Sequence, residues 1–148
     1  MRMKLELNVP VKTIGQDPGA DADAQFNLRG VLSGVARASQ MNGCAYCIDM
    51  HTKDARAEGE SEQRLYALSA WREAPFFTKR ERAGLEWTES VTDVGGSHVP
   101  DDVYQRVRRE FTDTEIVNLT MAIVAINGWN RIAVAMRMVP GTYQPGKV

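Results

Sequence analysis

Residues 40–59 read QMNGCAYCIDMHTKDARAEG, and this stretch carries both cysteines of the chain, Cys44 and Cys47. Asn42-Gly43 breaks the preceding segment. The amphipathic pattern that follows runs to about Glu58, with Gly59 placed as a C′ residue, and predicts a helix whose first turn holds the CxxC. At a helix start the unpaired backbone N–H groups favour a thiolate. Cys44, Cys47 and His51 are spaced i, i+3 and i+7, so on a helix the three side chains share one stripe. A dithiol beside an imidazole is a redox constellation.

Three readings fit these residues. In the first, one thiolate attacks an oxidised substrate, the other resolves the product to a disulfide, and His51 moves the proton. In the second, Cys44, Cys47 and His51, joined by His98, hold a zinc ion; against it, three of the four share one predicted helix. In the third, two cysteines and a histidine are simply buried, although the polar neighbours Asn42, Asp49, Lys53 and Asp54 argue against a wholly apolar setting. The c-type haem signature is excluded because Ile48, not His, follows Cys47.

With 148 residues and 43% hydrophobic content, a single domain over residues 1–148 is expected. A formal net charge of −1 leaves no electrostatic footprint for nucleic acid or an anionic membrane. The basic clusters around Lys79-Arg80 and Arg106 to Arg109 are interleaved with Glu81 and Glu110 and read as solvated helix faces. No run of about 18 apolar residues is available to span a bilayer. The first ten residues lack a signal-peptide core, so the expected location is cytoplasmic, where a CxxC is more often catalytic than structural.

Strand signal is confined to residues 4–11, which suit a short extended arm, and residues 16–25 read as a loop. Asn27 is placed to cap a first helix running to about Gln40. Gly34 inside it marks close packing. Ser61 opens a short helix that Pro75 stops, and Thr78 caps the next, with Leu85, Trp87 and Val91 as core candidates. The stretch from Asp93 to His98 reads as a loop, and Pro100 starts a helix to about Phe111. Thr112 or Asp113 caps the longest helix, expected to reach about Val139 and, being apolar on most sides, to lie centrally. Within it Asn127, Asn130 and Arg131 need partners, found against another subunit, at a kink at Gly128 or in a catalytic role. Trp71, Trp87 and Trp129 read as core or interface anchors, and residues 140–148 as an irregular tail. The sum is an all-α, compact bundle of about six helices.

The run from Ala36 to Trp87, and within it the block NGCAYCIDMH, resembles the alkylhydroperoxidase D-like proteins of the carboxymuconolactone decarboxylase superfamily, and the continuation from His98 to Val134 is similar to their second half. The resemblance implies an all-helical fold that commonly forms a homo-oligomer, and a thiol-dependent peroxidase activity that needs no metal or haem cofactor. It implies that Cys47 meets the hydroperoxide, that Cys44 resolves it, and that an external dithiol restores the pair. His51 is one turn from Cys47 and two from Cys44, which agrees with that order. The family's relay glutamate, about twelve residues before the first cysteine, is replaced by Leu32, and Asp54 stands three residues after His51. The expected activity is thus that of a peroxidase of the peroxiredoxin type acting on small hydroperoxides. Its rivals are a redox-sensing or interaction module without efficient turnover, and a lactone decarboxylase-like enzyme.

Overall fold

The computed structural model describes residues 28–146. The arm expected over residues 4–11, the loop over 16–25 and the Asn27 cap lie outside them. Among the described residues the chain forms seven α-helices, one 3₁₀ turn and no strand. These are α1 (Leu28–Met41), α2 (Ala45–Ala57), α3 (Glu62–Ala67) continued by the 3₁₀ turn Leu68–Ala70, α4 (Lys79–Thr92), α5 (Val94–Ser97), α6 (Asp101–Glu110) and α7 (Asp113–Ala135). The all-α expectation is met. The added element is α5, a single turn inside the stretch read as a loop, closed by His98 and Val99 in left-handed backbone.

Local chemistry sets most boundaries. Thr78 and Thr112 each accept a hydrogen bond from the backbone N–H three residues on, and Glu81 and Glu115 reach back to the capping residues, so α4 and α7 both begin with a reciprocal capping box. Ser61 caps α3 alone, through the Arg64 N–H. At the end of α2, Gly59 sits at φ 89° while its N–H and that of Glu60 bond the carbonyls of Arg56 and Ala55, the Schellman pattern. Helix α7 stops at Ala135, four residues short of the expected end, through the same pattern. The N–H groups of Arg137 and Met138 bond the carbonyls of Val134 and Ala133, with Arg137 in the left-handed position at φ 54°.

The central helix is α1, not α7. It packs against α2, α4 and α7, and Val31, Leu32, Ser33, Val35, Ala36, Ala38 and Ser39 are all buried. Small side chains allow this crowding: a Cβ on Gly34 would meet Thr88 Oγ1 at 3.1 Å. Helix α7 buries Ile116, Leu119, Ile123, Ile126, Asn130 and Ala133 along one stripe, each large aliphatic contributing about 2 kcal/mol of transfer free energy. Its opposite stripe, with Val117, Met121, Val124 and Ile132, faces outward in the single chain. Trp71 and Trp87 are buried and donate their indole N–H to Glu89 and Thr120, while Trp129 packs partly buried beside the cluster holding Cys44 and Cys47. No described helix is long and apolar enough to cross a membrane.

Candidate functional site

The turn between α1 and α2 places the dithiol. Gly43 takes φ 65°, a left-handed conformation that glycine adopts freely, and the N–H groups of Asn42 and Cys44 bond the carbonyls of Ala38 and Ser39 at 3.0 Å each. Cys44 is thereby the N-cap of α2, and its sulfur accepts the Cys47 backbone N–H at 3.4 Å. Ser, Thr, Asp or Asn usually fills this role, and a sulfur is a weaker acceptor. The expected CxxC at a helix start is present, with both cysteines as free thiols.

Both sulfurs lie inside. Cys44 and Cys47 are 1% and 2% exposed, within an apolar cluster that includes Val31, Leu32, Val35 and Ile126. Burial, reinforced by the Cys44 thiol beside it, pushes the Cys47 thiol up to about 12. His51 lies on the same helix, and burial brings its imidazole down to about 4. Neither ring nitrogen has a hydrogen-bond partner among the described residues. The resting site therefore holds a thiol and a neutral imidazole.

Leu32 is buried in the cysteine cluster, so hydrocarbon occupies the position that the family resemblance associates with a carboxylate. Among the described residues the acid within 4 Å of His51 is Asp54, whose Oδ2 stands 4.0 Å from His51 Nδ1, beyond hydrogen-bond length. Its other oxygen, Oδ1, accepts the Tyr143 hydroxyl at 2.7 Å. The tail that carries Tyr143 is tied along α2: the Gly141 N–H donates to Asp49 at 3.0 Å, and Lys53 donates to the Tyr143 carbonyl at 3.1 Å. Burial raises the Asp54 carboxyl, and the Tyr143 bond partly offsets this.

Asn127 and Asn130 find their partner within the chain. Asn42, just before the CxxC, donates through one side-chain amide to Asn127 Oδ1 at 2.8 Å and Asn130 Oδ1 at 2.9 Å. Asn130 in turn donates to Ser39 Oγ at 3.0 Å, and Asn127 to Thr92 and the Ile123 carbonyl. Arg131 stays exposed and bonds the Asn127 carbonyl. Neither a kink at Gly128 nor another subunit is needed to satisfy them. The sequence showed only that polar groups sat in an apolar stripe. Tyr143 had no signal at all, since its partner is 89 residues away.

His98 is exposed in the turn after α5. The zinc reading required it beside Cys44, Cys47 and His51, and no group of three or more His, Cys, Asp and Glu with metal-binding placement exists among the described residues.

Comparison with known proteins places these features in a lineage. Residues 34–90, which run from the middle of α1 through the CxxC turn and α2 to most of α4, match the carboxymuconolactone decarboxylase family model. The uncharacterised protein YdfG of Bacillus subtilis is 52% identical over 100 residues, 68% of each chain. A crystal structure from Agrobacterium tumefaciens, of unknown function and provisionally assigned to AhpD-type antioxidant defence, superposes with a TM-score of 0.77 at 41% identity, over 90% of this chain and 87% of that one. The debrominase Bmp8 shares the fold, with a TM-score of 0.66 at 20% identity over 78% of this chain and 61% of its own. The dithiol turn thus sits on a shared helical framework, and the chain belongs to the carboxymuconolactone decarboxylase family, with an AhpD-like fold.

Proposed function

We propose that this protein is a thiol-dependent peroxidase that reduces hydroperoxides through a Cys44/Cys47 dithiol cycle. The observation that carries the reading is the CxxC pair itself, two free thiols on one turn of α2 with a neutral histidine one turn further on. The Cys47 thiolate attacks the outer peroxide oxygen; an S–O bond forms, the O–O bond breaks, and the alkoxide leaves as alcohol after taking a proton. The Cys44 thiolate then attacks the sulfenic sulfur, the S–S bond forms, and hydroxide leaves as water on protonation. A dithiol reductant returns both thiols by exchange. His51, uncharged at neutral pH, is free to accept the Cys47 proton once the site opens to solvent and the thiol falls toward its ordinary range.

Chemical and genetic assays test this together. Mild peroxide should remove two titratable thiols per chain without covalent dimers, and a dithiol should restore both. Cys47→Ser should abolish peroxide consumption, whereas Cys44→Ser should leave a sulfenic acid at Cys47 that can be trapped. Trapping it only in Cys47→Ser would reverse the assignment. The raised Cys47 thiol and the apolar Leu32 favour one further reading, a redox sensor that oxidises once and stops; absence of multiple turnover with reductant in excess would select it.

The reading extends to assembly into a homo-oligomer. The outward stripe of α7, with Val117, Met121 and Val124, is apolar at helical spacing and suits a second copy. Sedimentation at micromolar concentration should show an assembly that Met121→Lys with Val124→Lys dissociates; a monomeric wild type would refute it.

A further inference from the structure

Two basic clusters that read in the sequence as solvated helix faces meet across one cleft. Lys79, Arg82 and Glu86 are spaced i, i+3 and i+7 on α4, and Arg106, Arg109 and Glu110 are spaced i, i+3 and i+4 on α6, so each set forms one stripe of its helix. Helix α4 packs on α6. The two stripes, closed at one end by Trp71 and Arg72, line a concavity of about 580 Å³. That volume falls within the range of small-molecule sites, about 300–1,000 Å³. Its walls, however, are charged rather than apolar. Arg80 and Arg108 are not part of the lining: Arg80 bonds Glu115 at 2.6 Å, and Arg108 pairs with Asp113 at 3.4 Å.

The charges in the cleft do not cancel. Glu86 is taken by Arg106, whose Nε and Nη2 donate to its two oxygens at 2.6 and 3.0 Å. Arg72 lies over the Trp71 ring at 4.3 Å and pairs with Glu89, outside the lining. Arg82 pairs with no carboxylate. Its Nε and Nη1 donate to the carbonyls of Phe77 and Arg72 at 3.0 Å each, and its Nη2 to that of Ala74. These bonds to neutral groups fix the guanidinium in place but leave its charge uncompensated and N–H groups on both Nη atoms uncommitted. Lys79 and Arg109 are exposed and have no ion-pair or hydrogen-bond partner among the described residues. Against these three cations stands the single carboxylate of Glu110. Cations gathered on a concave wall focus the field and draw an anion in, and guanidinium and ammonium donors suit phosphate oxygens. Trp71 is 4% exposed and covered by Arg72, so no aromatic face is offered to a base.

We propose that this cleft is a second binding site of the protein, which takes the phosphate groups of a small phosphorylated ligand on Lys79, Arg82 and Arg109. None of these residues belongs to the cluster around the dithiol, so the proposal goes beyond the peroxidase reading and does not depend on it.

Calorimetric titration of the full chain with inorganic pyrophosphate tests it. Binding is expected at one site per chain, with a dissociation constant below about 1 mM that rises with salt. Lys79→Ala with Arg109→Ala should weaken it about tenfold or more. Arg56→Ala with Arg131→Ala subtracts the same charge from exposed positions on α2 and α7 and should leave the affinity within about twofold. Glu110→Gln removes the opposing carboxylate and should tighten binding. ADP, a diphosphate ester, should bind no more tightly than pyrophosphate; ADP binding about tenfold tighter would overturn the claim that the phosphates alone are recognised. Absence of pyrophosphate binding to the wild-type chain overturns the proposal. An equal loss in the two double variants does so as well, by reducing the attraction to net charge. A tetraglutamate peptide that competes with pyrophosphate and binds more tightly would assign the cleft to an acidic protein segment and overturn it likewise.

Discussion

The Tyr143 hydroxyl donates to Asp54 Oδ1 at 2.7 Å while Asp54 Oδ2 stands 4.0 Å from His51 Nδ1, so a residue of the tail restrains the acid beside the imidazole. The same tail is bonded to Asp49 and Lys53 on α2.

Tyr143→Phe removes one part-buried hydrogen bond to a charged group and should lower stability by about 1–2 kcal/mol in urea unfolding. Freed of the phenol, Asp54 can close on His51 and favour imidazolium, so the His51 pKa should rise in a proton NMR titration. Stability and titration both matching wild type would show that the tail exerts no hold on the site.

Stability should fall in mild acid through His51. Burial holds the folded imidazole at about 4 against an ordinary 6.5. Between these values the unfolded chain binds more protons, so this contribution is fully present above pH 6.5 and lost as pH falls toward 4. Its full size is about 3 kcal/mol. His51→Gln should therefore lose about 2–3 kcal/mol less than wild type between neutral pH and about pH 4.5. An equal loss in both proteins would place the acid sensitivity elsewhere. Cys47 acts with the opposite sign: its raised pKa gives a contribution present below about 9 and lost as pH rises toward about 12.

Leu32→Glu introduces a carboxylate into the cluster around Cys44 and Cys47. It should cost about 2 kcal/mol or more of stability, because a buried acid replaces hydrocarbon. In exchange the peroxide rate constant should rise by roughly tenfold or more, through orientation of His51. The gain must disappear when His51→Ala is added. A gain that survives that second change would show that the carboxylate does not act through the imidazole.

Gly34→Ala sets two effects against each other. Alanine favours the helix by about 1 kcal/mol, but its Cβ would come within 3.1 Å of Thr88 Oγ1. Thr88 is fully buried, β-branched and bonded to the Gly84 carbonyl at 2.8 Å, so it has little room to yield. Overpacking of about 1–3 kcal/mol should prevail, and the variant should unfold at lower urea concentration. Adding Thr88→Ala should recover part of the loss. A stabilised single variant would show that α1 and α4 can separate without penalty.

How far the sequence could be read varies with the distance over which each signal acts. The Schellman ends of α2 and α7 make the contrast. Gly59 announces the first, because glycine is the residue that enters left-handed backbone without strain, whereas Arg137 adopts the same conformation at the second and gives no such sign. Helix α7 accordingly ends at Ala135, four residues before the Val139 that its sequence predicts. Its apolar residues on both sides suggested a central helix, yet α1 holds that place, because its small residues let three helices approach.

Sequence by itself determined the helical class, the cap at Thr78, a cap at Thr112 or Asp113 for α7, and the placement of the CxxC at the start of α2 with His51 further along it. Each depends on hydrogen bonds and side-chain spacing within a few residues, where the chain has few options. Tertiary structure alone decided the protonation of the site and the environment of its sulfurs. Desolvation of Cys47 requires α1, α2 and α7 to close around it, and the orientation of the Asn130 amide requires Asn42 and Ser39 to arrive from 88 and 91 residues away. Interactions across such separations depend on how helices pack, which spacing along the chain does not encode.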